Sequence, residues 1–382
     1  MKILLVTKQV LDTRESLVYC PFALSSTLRR FEMMGELYVC SYKYEGKASQ
    51  PVDTKTDLHE DHVAFLDNES NLKTRYFSRQ HNQQTIETFV KKVDLVIGYV
   101  PATVGDLALT IAHRHHKPYM SFLVACIWDG MWHHRSWKAK LMAPVFFFET
   151  RKTVLYSDYV WYVTEEFLQR RYPTHGVSLG CTDTNIDVLS DDILQNRLSK
   201  IDRMGKKVKL LTVGHLDVGF KGQQFVIKAM SEMIRNGMDV EYYLIGDGHG
   251  DYLKKLAERT CMNERVFFLG RKTRKEVLAY MDETDIYIQP SLQEGLPRSV
   301  AEAMSRAMPV VVSQTGGMPE MVEPAFITRR KNVKDIVAVL SSFDRQTMKE
   351  QARRNFRKAS DYQPYMIDSK LKTFFKEIEN TL

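Results

Sequence analysis

Short apolar runs of strand length alternate along the first half of the chain with polar turns and helical stretches. Residues 2–7, 36–41 and 94–98 are such runs, and helical periodicity follows the third of them. The helical spacing i, i+3, i+4, i+7 is carried by Val104, Leu107, Ala108 and Ile111. Two more strands are predicted over 119–125 and 159–163. This alternation predicts a parallel sheet covered by helices.

A polar stretch from 182 to 207 interrupts this pattern. It contains five aspartates and little apolar periodicity, so we predict a linker there, with a domain boundary near residue 186. The alternation then restarts with a strand over 208–213 and a helix over 223–236, which Asn236-Gly237 ends. Further strands are predicted over 241–245, 265–269, 285–289 and 309–313.

The pattern as a whole predicts an α/β protein with two Rossmann-like parallel-sheet domains, 1–186 and 187–360, facing each other across a cleft. The final segment, 361–382, has the periodicity of a helix. Because the second sheet is complete before this segment, we expect the helix to pack back on the N-terminal domain. Its apolar face consists of Leu371, Phe374, Phe375 and Ile378.

The composition is that of a soluble globular protein, since 44% of the 382 residues are hydrophobic and 26% are charged. That much apolar surface excludes disorder of the whole chain. No apolar run approaches the roughly 18 residues of a spanning helix, which excludes a polytopic membrane protein. The amino terminus is apolar only as far as Val6, which indicates a buried strand and not a signal peptide.

The five cysteines are widely spaced and include no CxxC pair. They indicate neither a disulfide framework nor structural zinc, so we expect a reducing, cytoplasmic environment. The net charge of +7 is small for this length and fits anionic partners such as phosphates or a lipid surface. We expect no nucleic-acid partner, because neither a recognition helix nor an aromatic-interleaved sheet is indicated.

The segment 290–304 combines the features of a phosphate-binding loop. A predicted strand ends just before it, a loop carries Glu294, and Pro297 stands where a helix begins. The unpaired backbone NH groups and the dipole of a helix start favour an anion there. Glu294 and Glu302 flank this helix start, and carboxylates accept hydrogen bonds from vicinal hydroxyls. One acid can hold a ribose and the other a sugar, while the alternative is an ordinary loop Glu and an ordinary helical Glu.

Three further glycine-bearing loops follow predicted strands of the same domain. Gly214 and Lys221 lie in the first, where glycine permits close backbone approach and lysine can neutralise a phosphate. Gly246-Asp247-Gly248 forms the second, and the segment 316–320 forms the third. Each loop alone is more typical of a plain turn. Because all four loops follow strands of one sheet, we expect them to converge where open α/β sheets bind ligands.

Together these motifs resemble the family 4 glycosyltransferases, which have the GT-B fold. Glu294 and Glu302 match that family's E-x7-E pair, and the glycine-bearing loops match its other motifs. The specific part spans 208–323, about 115 residues, and the two-domain layout covers the rest. The resemblance implies retaining, metal-independent transfer of a hexosyl group from a nucleotide-diphosphate sugar, without a cofactor. The implied acceptor is a carbohydrate or a polyprenyl-diphosphate-linked glycan, in surface polysaccharide biosynthesis.

The resemblance also implies roles for individual residues. Glu294 would hold hydroxyls of the donor sugar, Glu302 the ribose, and Lys221 the diphosphate. In the same-face mechanism commonly proposed for this family, the departing phosphate takes the acceptor's proton, so no protein nucleophile is required. The base would lie against Leu269 and Arg271. The donor-binding residues that the resemblance implies are Gly214, His215, Lys221, Gly246, Leu269, Arg271, Glu294, Gly295, Leu296, Pro297, Arg298 and Glu302.

The sequence departs from the family pattern at two places. His215 stands where arginine is usual, and a neutral histidine neutralises less phosphate charge, so phosphate binding by His215 is one of two open hypotheses. The glycine-rich turn often found after the first strand is missing, since residues 6–16 contain no glycine.

The acceptor side is expected in the first domain. Asp129 follows a predicted strand and is the candidate catalytic residue near the transferring sugar; the alternative is a helix N-cap or turn role. Residues 131–156 mix aromatics with cations, and from 133 to 152 there are five Lys or Arg and one acid, a local charge of about +4. Such a surface can contact an anionic leaflet at the inner face of the cell membrane. The alternative is that the Phe residues are core and the cations are solvated.

Two other functions are compatible with this architecture. A nucleotide-sugar epimerase would convert the donor sugar without an acceptor. A non-catalytic sugar- or nucleotide-binding module would retain the fold alone. The presence of both Glu294 and Glu302 argues against the module, while His215 and the glycine-poor first loop leave it open.

Overall fold

The computed structural model describes residues 1–46, 51–68, 75–134 and 136–382, which form two compact units. Each unit has its own sheet and its own buried core. None of the helices in these ranges has both the length and the apolar character that crossing a bilayer requires. Unit 1 comprises Met1–Trp128, Leu141–Asp183 and Ile367–Leu382, and unit 2 comprises Asp129–Lys140 and Thr184–Met366.

Unit 1 is built on a predominantly parallel sheet. Its strands are β1 (Lys2–Arg14), β2 (Leu17–Cys20), β3 (Glu36–Lys43), β4 (Thr54–His59), β5 (Val63–Leu66), β6 (Leu95–Val100), β7 (Tyr119–Leu123), β8 (Tyr159–Tyr162) and β9 (Val177–Gly180). Among these described strands, the order β5-β3-β1-β6-β7-β8-β9 is parallel throughout. The buried strands are rich in Val, Ile and Leu, as expected of a sheet covered on both faces.

The first strand is longer than the predicted run 2–7 and takes the place of a glycine-rich turn. After Val6 it continues through a register shift to Arg14. This extension pairs with β2 in antiparallel order, and β4 pairs in antiparallel order with the other side of β2. Glu15 and Ser16 form the reversing turn, with positive φ angles of 49° and 62°. The chain thus leaves β1 by a hairpin and not by a strand-to-helix loop, so the glycine-rich turn of the family pattern has no counterpart here.

The helices of the first half cover this sheet and lead into unit 2. They are α1 (Phe22–Glu32), α2 (Arg75–Val90), α3 (Thr103–Arg114), α4 (Ile127–Trp132), α5 (Trp137–Leu155) and α6 (Phe167–Arg171). The segment Asp129–Lys140, in which α4 ends and α5 begins, groups with unit 2.

Unit 2 contains a parallel sheet. Its strands are β10 (Lys207–Val213), β11 (Asp239–Ile245), β12 (Val266–Gly270), β13 (Ile286–Gln289), β14 (Val310–Ser313) and β15 (Ile327–Thr328). They lie in the order β12-β11-β10-β13-β14-β15. Its helices are α7 (Asp191–Arg203), α8 (Gln223–Arg235), α9 (Asp251–Arg259), α10 (Arg274–Glu283), α11 (Arg298–Ser305), α12 (Val333–Ser341) and α13 (Arg345–Ala359). The strand order reverses between β10 and β13, which is the position at which open α/β sheets bind ligands. The predicted α/β fold with two Rossmann-like parallel-sheet domains is therefore confirmed.

Helix α7 lies inside the stretch that we predicted as a linker, so that prediction is wrong for residues 191–203. Its apolar side packs against the core of unit 2. Arg197 is 4% exposed and donates to the carbonyl oxygens of Thr284 at 2.6 Å and Met281 at 2.5 Å. The helix was not predicted from the sequence because only a narrow face of it is apolar, and the buried Arg197 attaches it to unit 2 through hydrogen bonds.

The last helix, α14 (Pro364–Thr381), joins the core of unit 1 from Ile367 onward. The ring of Phe375 lies 6.3 Å from that of Trp161, and Nε of Arg30 pairs with Oδ1 of Asp368 at 2.9 Å. The apolar face predicted for this helix is buried there, through Leu371, Phe374, Phe375 and Ile378.

Candidate active site

The four loops singled out in the sequence follow strands of one parallel sheet in unit 2. Because these strands run in the same direction, their carboxyl ends lie at the same edge of the sheet. The strand ends at this edge are Val213 (β10), Ile245 (β11), Gln289 (β13) and Ser313 (β14).

The loops after β10 and β13 are in direct contact. The backbone NH of Leu292 donates to the carbonyl oxygen of Phe220 at 2.7 Å. Gly222 has a φ of 78°, and a Cβ at this position would lie 2.0 Å from the carbonyl oxygen of Pro290. A residue with a side chain would therefore strain its backbone and push the two loops apart.

These two loops bring Lys221 and Glu294 together. Nζ of Lys221 donates to Oε1 of Glu294 at 2.7 Å, and the two side chains are 21% and 10% exposed. Nε2 of Gln289 donates to the same carboxylate oxygen at 3.1 Å. The amide of Gln289, which is fully buried, also accepts from the hydroxyl of Tyr287 at 2.6 Å. The orientation of Glu294 is thus fixed by a cation on one side and a buried amide on the other.

Helix α11 begins at Arg298, one residue later than predicted, so Pro297 occupies the N-cap position and not the first helical position. The NH groups of Arg298 and Ser299, at the first two helical positions, have no carbonyl oxygen within the helix to donate to. Together with the helix dipole they favour an anion at this end. Glu294 lies in the loop that leads directly into this helix start, which brings a carboxylate, a cation and backbone donors into one segment.

Glu302 is buried within α11, at 7% exposure. Its Oε1 lies 3.5 Å from Nε of Arg274, and Arg274 in turn pairs with Asp187 at 3.0 Å. Burial raises the pKa of the Glu302 carboxyl above its ordinary value, and the guanidinium groups of Arg298 and Arg274 oppose this rise. The cations keep a largely desolvated acid available as a hydrogen-bond acceptor.

The loops after β10 and β11 stack through their glycines. The NH of Gly214 donates to the carbonyl oxygen of Ile245 at 2.8 Å. A Cβ on Gly246 would lie 2.0 Å from the carbonyl oxygen of Gly214, so only glycine permits this approach. Nδ1 of His215 accepts from the backbone NH of Asp217 at 3.2 Å. The neutral ring of His215 therefore carries its proton on Nε2, which can act as a donor.

The loop after β14 packs against the backbone of the loop that carries Glu294. Gly316 has a φ of 59°, and a Cβ there would lie 2.3 Å from the carbonyl oxygen of Glu294. The NH of Gly317 donates to the carbonyl oxygen of Gly295 at 2.7 Å. The hydroxyl of Thr315 donates to the backbone of the same segment, at the carbonyl oxygen of Ser291, at 2.8 Å.

The residues expected against the base lie at the end of β12. Leu269 is half-buried, and Arg271 is exposed. Between them Gly270, with a φ of 68°, accepts from the NH of Gly246 at 3.0 Å through its carbonyl oxygen. This contact connects the Leu269–Arg271 corner to the glycine stack.

Asp129, the acceptor-side candidate, groups with unit 2 and is 2% exposed. It lies in the first turn of α4 and not at a cap position. Its Oδ1 is 3.5 Å from Nη1 of Arg330, whose Nε donates to the carbonyl oxygen of Gln314 at 2.9 Å. Burial lowers the pKa of the neighbouring His133, and the charge of Asp129 opposes this. Asp129 is therefore engaged with a cation in this structure.

Neither the motifs nor the apolar periodicity of the sequence indicated Gln289, Arg274 or Arg330. Gln289 could have been found, because it is a polar residue at the end of an apolar strand that precedes the motif. Arg274 and Arg330 lie near the beginning and end of other elements, and nothing in their local sequence indicates their partners. Within the described ranges, no group of three or more His, Cys, Asp and Glu side chains is arranged to hold a metal ion.

Comparison with known proteins places the family match in the second half of the chain. Residues 195–361 match the family model of the glycosyl transferases group 1. The chain is 26% identical over 300 residues to protein CapJ of Staphylococcus aureus, covering 78% of this chain and 75% of CapJ. It is 31% identical over 156 residues to the amylovoran biosynthesis glycosyltransferase AmsK of Erwinia amylovora, covering 38% of each chain.

A solved structure extends the likeness to the whole chain. Alr3699/HepE of Anabaena, crystallised with UDP and glucose, matches with a TM-score of 0.67 over 98% of this chain and 99% of its own, at 17% identity. At this identity the likeness shows the fold. Residues 195–361 thus match the group 1 glycosyl transferases, and the chain as a whole has the two-domain fold of the GT-B glycosyltransferases.

Proposed function

We propose that this chain transfers a sugar, with retention of configuration, from a nucleotide-diphosphate sugar to a carbohydrate or polyprenyl-diphosphate-linked glycan. The observation that carries the proposal is the meeting of Lys221 and Glu294 at 2.7 Å, at the switch point of the unit 2 sheet. The loop that carries Glu294 also opens α11. A cation, a carboxylate and free backbone donors are the groups that a diphosphate joined to a sugar requires.

The diphosphate is the leaving group, and its charge grows as the bond to C1 of the sugar breaks. Lys221 and the NH groups at the start of α11 are already oriented before the reaction. They therefore stabilise the transition state more than the ground state. His215 is a further candidate donor to the phosphates through Nε2.

The sugar and the nucleoside have separate partners in this proposal. Glu294 accepts hydrogen bonds from sugar hydroxyls, and Glu302 accepts them from the ribose. Leu269 and Arg271 border the base. The new C1–O bond forms on the face that the diphosphate leaves, and the departing phosphate oxygen takes the acceptor's proton. The step needs neither a protein nucleophile nor a metal ion.

The biological setting is proposed from the names of the relatives. AmsK is named for amylovoran biosynthesis, which suggests a polysaccharide assembled from activated sugars. We place the protein in the cytoplasm, at the inner face of the cell membrane. Asp129 remains the candidate on the acceptor side, and its ion pair with Arg330 would have to open for a catalytic role.

Thermal unfolding with UDP, GDP and ADP, each with its sugars, tests the donor site. A nucleotide at about one hundred times its dissociation constant should add about 2.7 kcal/mol of stability. If none of these ligands changes the melting temperature, the proposal fails. Product analysis without an acceptor distinguishes transfer from epimerisation, and turnover in excess EDTA tests independence from metals.

Variants test the assignment of residues. Glu302→Ala and Lys221→Ala should each abolish turnover while the protein remains folded, and Lys255→Ala on the exposed face of α9 serves as a control. Full activity in either site variant would refute the assignment.

A further inference from the structure

The outward side of α5 is apolar over most of its length. Leu141, Val145 and Phe148 follow one another at i, i+4 and i+7, and Met142 lies beside them. Leu141 is 66% exposed and Phe148 is 64% exposed, and the other two are also exposed. We call these four residues the outer face of α5.

The opposite side of the same helix already packs on unit 1. Ala143, Thr150 and Val154 are buried, and the ring of Phe147 lies 5.8 Å from that of Trp128. A surface helix that buries one apolar side normally presents polar residues on the other. This helix is apolar on both sides, so its outer face is not explained by the packing of the unit to which it belongs.

The charges on α5 indicate what covers this face. Lys152 lies one turn beyond Phe148 on the same stripe and is exposed. The helix carries one acid, Glu149, against the exposed cations Lys138, Lys140, Arg151 and Lys152. Lysine is depleted in protein–protein interfaces, whereas an anionic bilayer attracts lysine next to apolar anchors. Arg135, a further cation of the predicted basic stretch, lies outside the described residues.

We propose that the outer face of α5 inserts into the headgroup region of an anionic lipid bilayer. Leu141, Val145 and Phe148 enter the apolar boundary, and Lys152 contacts lipid phosphates. The sequence alone did not decide whether the Phe residues belong to the core. In the structure Phe147 packs against Trp128, whereas Phe148 is exposed. Such insertion would bring the protein close to a lipid-linked acceptor, and this functional interpretation rests on the proposed glycosyl transfer.

Co-sedimentation of the whole chain with vesicles tests this inference. We expect binding to phosphatidylcholine vesicles that contain phosphatidylglycerol, weaker binding in high salt, and little binding to phosphatidylcholine alone. Leu141→Ser combined with Phe148→Ser should weaken binding by more than about tenfold. Lys152→Glu should weaken it by about fivefold for each unit of charge lost.

Matched controls come from α9 in unit 2, where Tyr252 is 60% exposed and Lys255 is also exposed. Tyr252→Ser and Lys255→Glu should leave vesicle binding unchanged. Nucleotide stabilisation, measured in the same variants, should also be unchanged and reports on the donor site independently. The inference is overturned if the Leu141/Phe148 variant binds vesicles like the wild type. It is also overturned if the wild-type chain self-associates without lipid and this variant does not.

Discussion

Nζ of Lys221 donates to Oε1 of Glu294 at 2.7 Å, although the family resemblance implies that the two residues bind different parts of one ligand. The pair joins the loops after β10 and β13, and both side chains are mostly buried. A diphosphate that approached Lys221 would compete with Glu294 for the same ammonium group. Glu294 would keep its bond from Gln289 and, once released by Lys221, would accept hydrogen bonds from hydroxyls of the sugar.

The first prediction concerns this ion pair. Lys221→Met leaves the buried carboxylate of Glu294 without its cation, and we expect a loss of about 1–3 kcal/mol of stability together with the loss of nucleotide binding. Adding Glu294→Gln to this variant removes the unpaired charge, so stability should recover while turnover does not. Denaturant unfolding and a turnover assay measure the two effects. An equal loss of stability in the single and double variants would contradict the coupling.

The second prediction concerns Gln289 as a positioning residue. Gln289→Leu removes the donor to Glu294, so turnover should fall by roughly 10- to 100-fold while nucleoside-diphosphate binding changes little. Gln289→Glu keeps the shape, but it can donate to Glu294 only when protonated. Its activity should therefore rise as the pH falls, unlike that of the wild type. A purely structural role would instead reduce nucleotide binding and turnover together, at every pH.

The third prediction uses two glycines of the same loop. Gly222→Ala places a Cβ against the carbonyl oxygen of Pro290 in a left-handed backbone, so it should cost more than about 1 kcal/mol of stability and weaken nucleotide binding. Gly219 has no atom within 4 Å of an added Cβ, so Gly219→Ala should be neutral or slightly stabilising. Melting temperatures with and without nucleotide compare the two variants. Similar effects from both would show that the contact with Pro290 carries no constraint.

The architecture and much of the candidate site could be predicted from the sequence because their signals are local. Parallel strands buried on both faces appear as apolar runs, and the loops that follow them carry glycines wherever backbones approach closely. Pro297 indicated the start of α11 to within one residue. These features depend on the residues next to them and not on the rest of the fold.

The remaining features depend on contacts between distant parts of the chain. Glu302 pairs with Arg274 on another helix. Asp129 pairs with Arg330, which lies far from it along the chain. The hairpin of β1 and β2 also pairs, through β2, with β4, which comes from a separate part of the chain. Helix α7 is held by a buried arginine, which no apolar periodicity reveals.

The last prediction concerns the pH dependence of stability in unit 1. Burial, with a smaller contribution from Glu149, raises the pKa of Asp106 to about 7, and its Oδ1 has no hydrogen-bond partner among the described residues. The folded state therefore binds the proton more tightly than the unfolded state, in which the pKa is about 3.9. This contribution to stability is complete below about pH 4 and is lost as the pH rises through about 7. Asp106→Asn is neutral at every pH, so its melting temperature should exceed that of the wild type by a margin that grows from pH 5 to about pH 7 and then levels off. The difference in the free energy of unfolding between the variant and the wild type should grow by at most about 1.4 kcal/mol per pH unit. If the melting temperatures of the two proteins changed with pH in the same way across this range, Asp106 would be ionised in the folded state at pH 5, which would contradict the prediction.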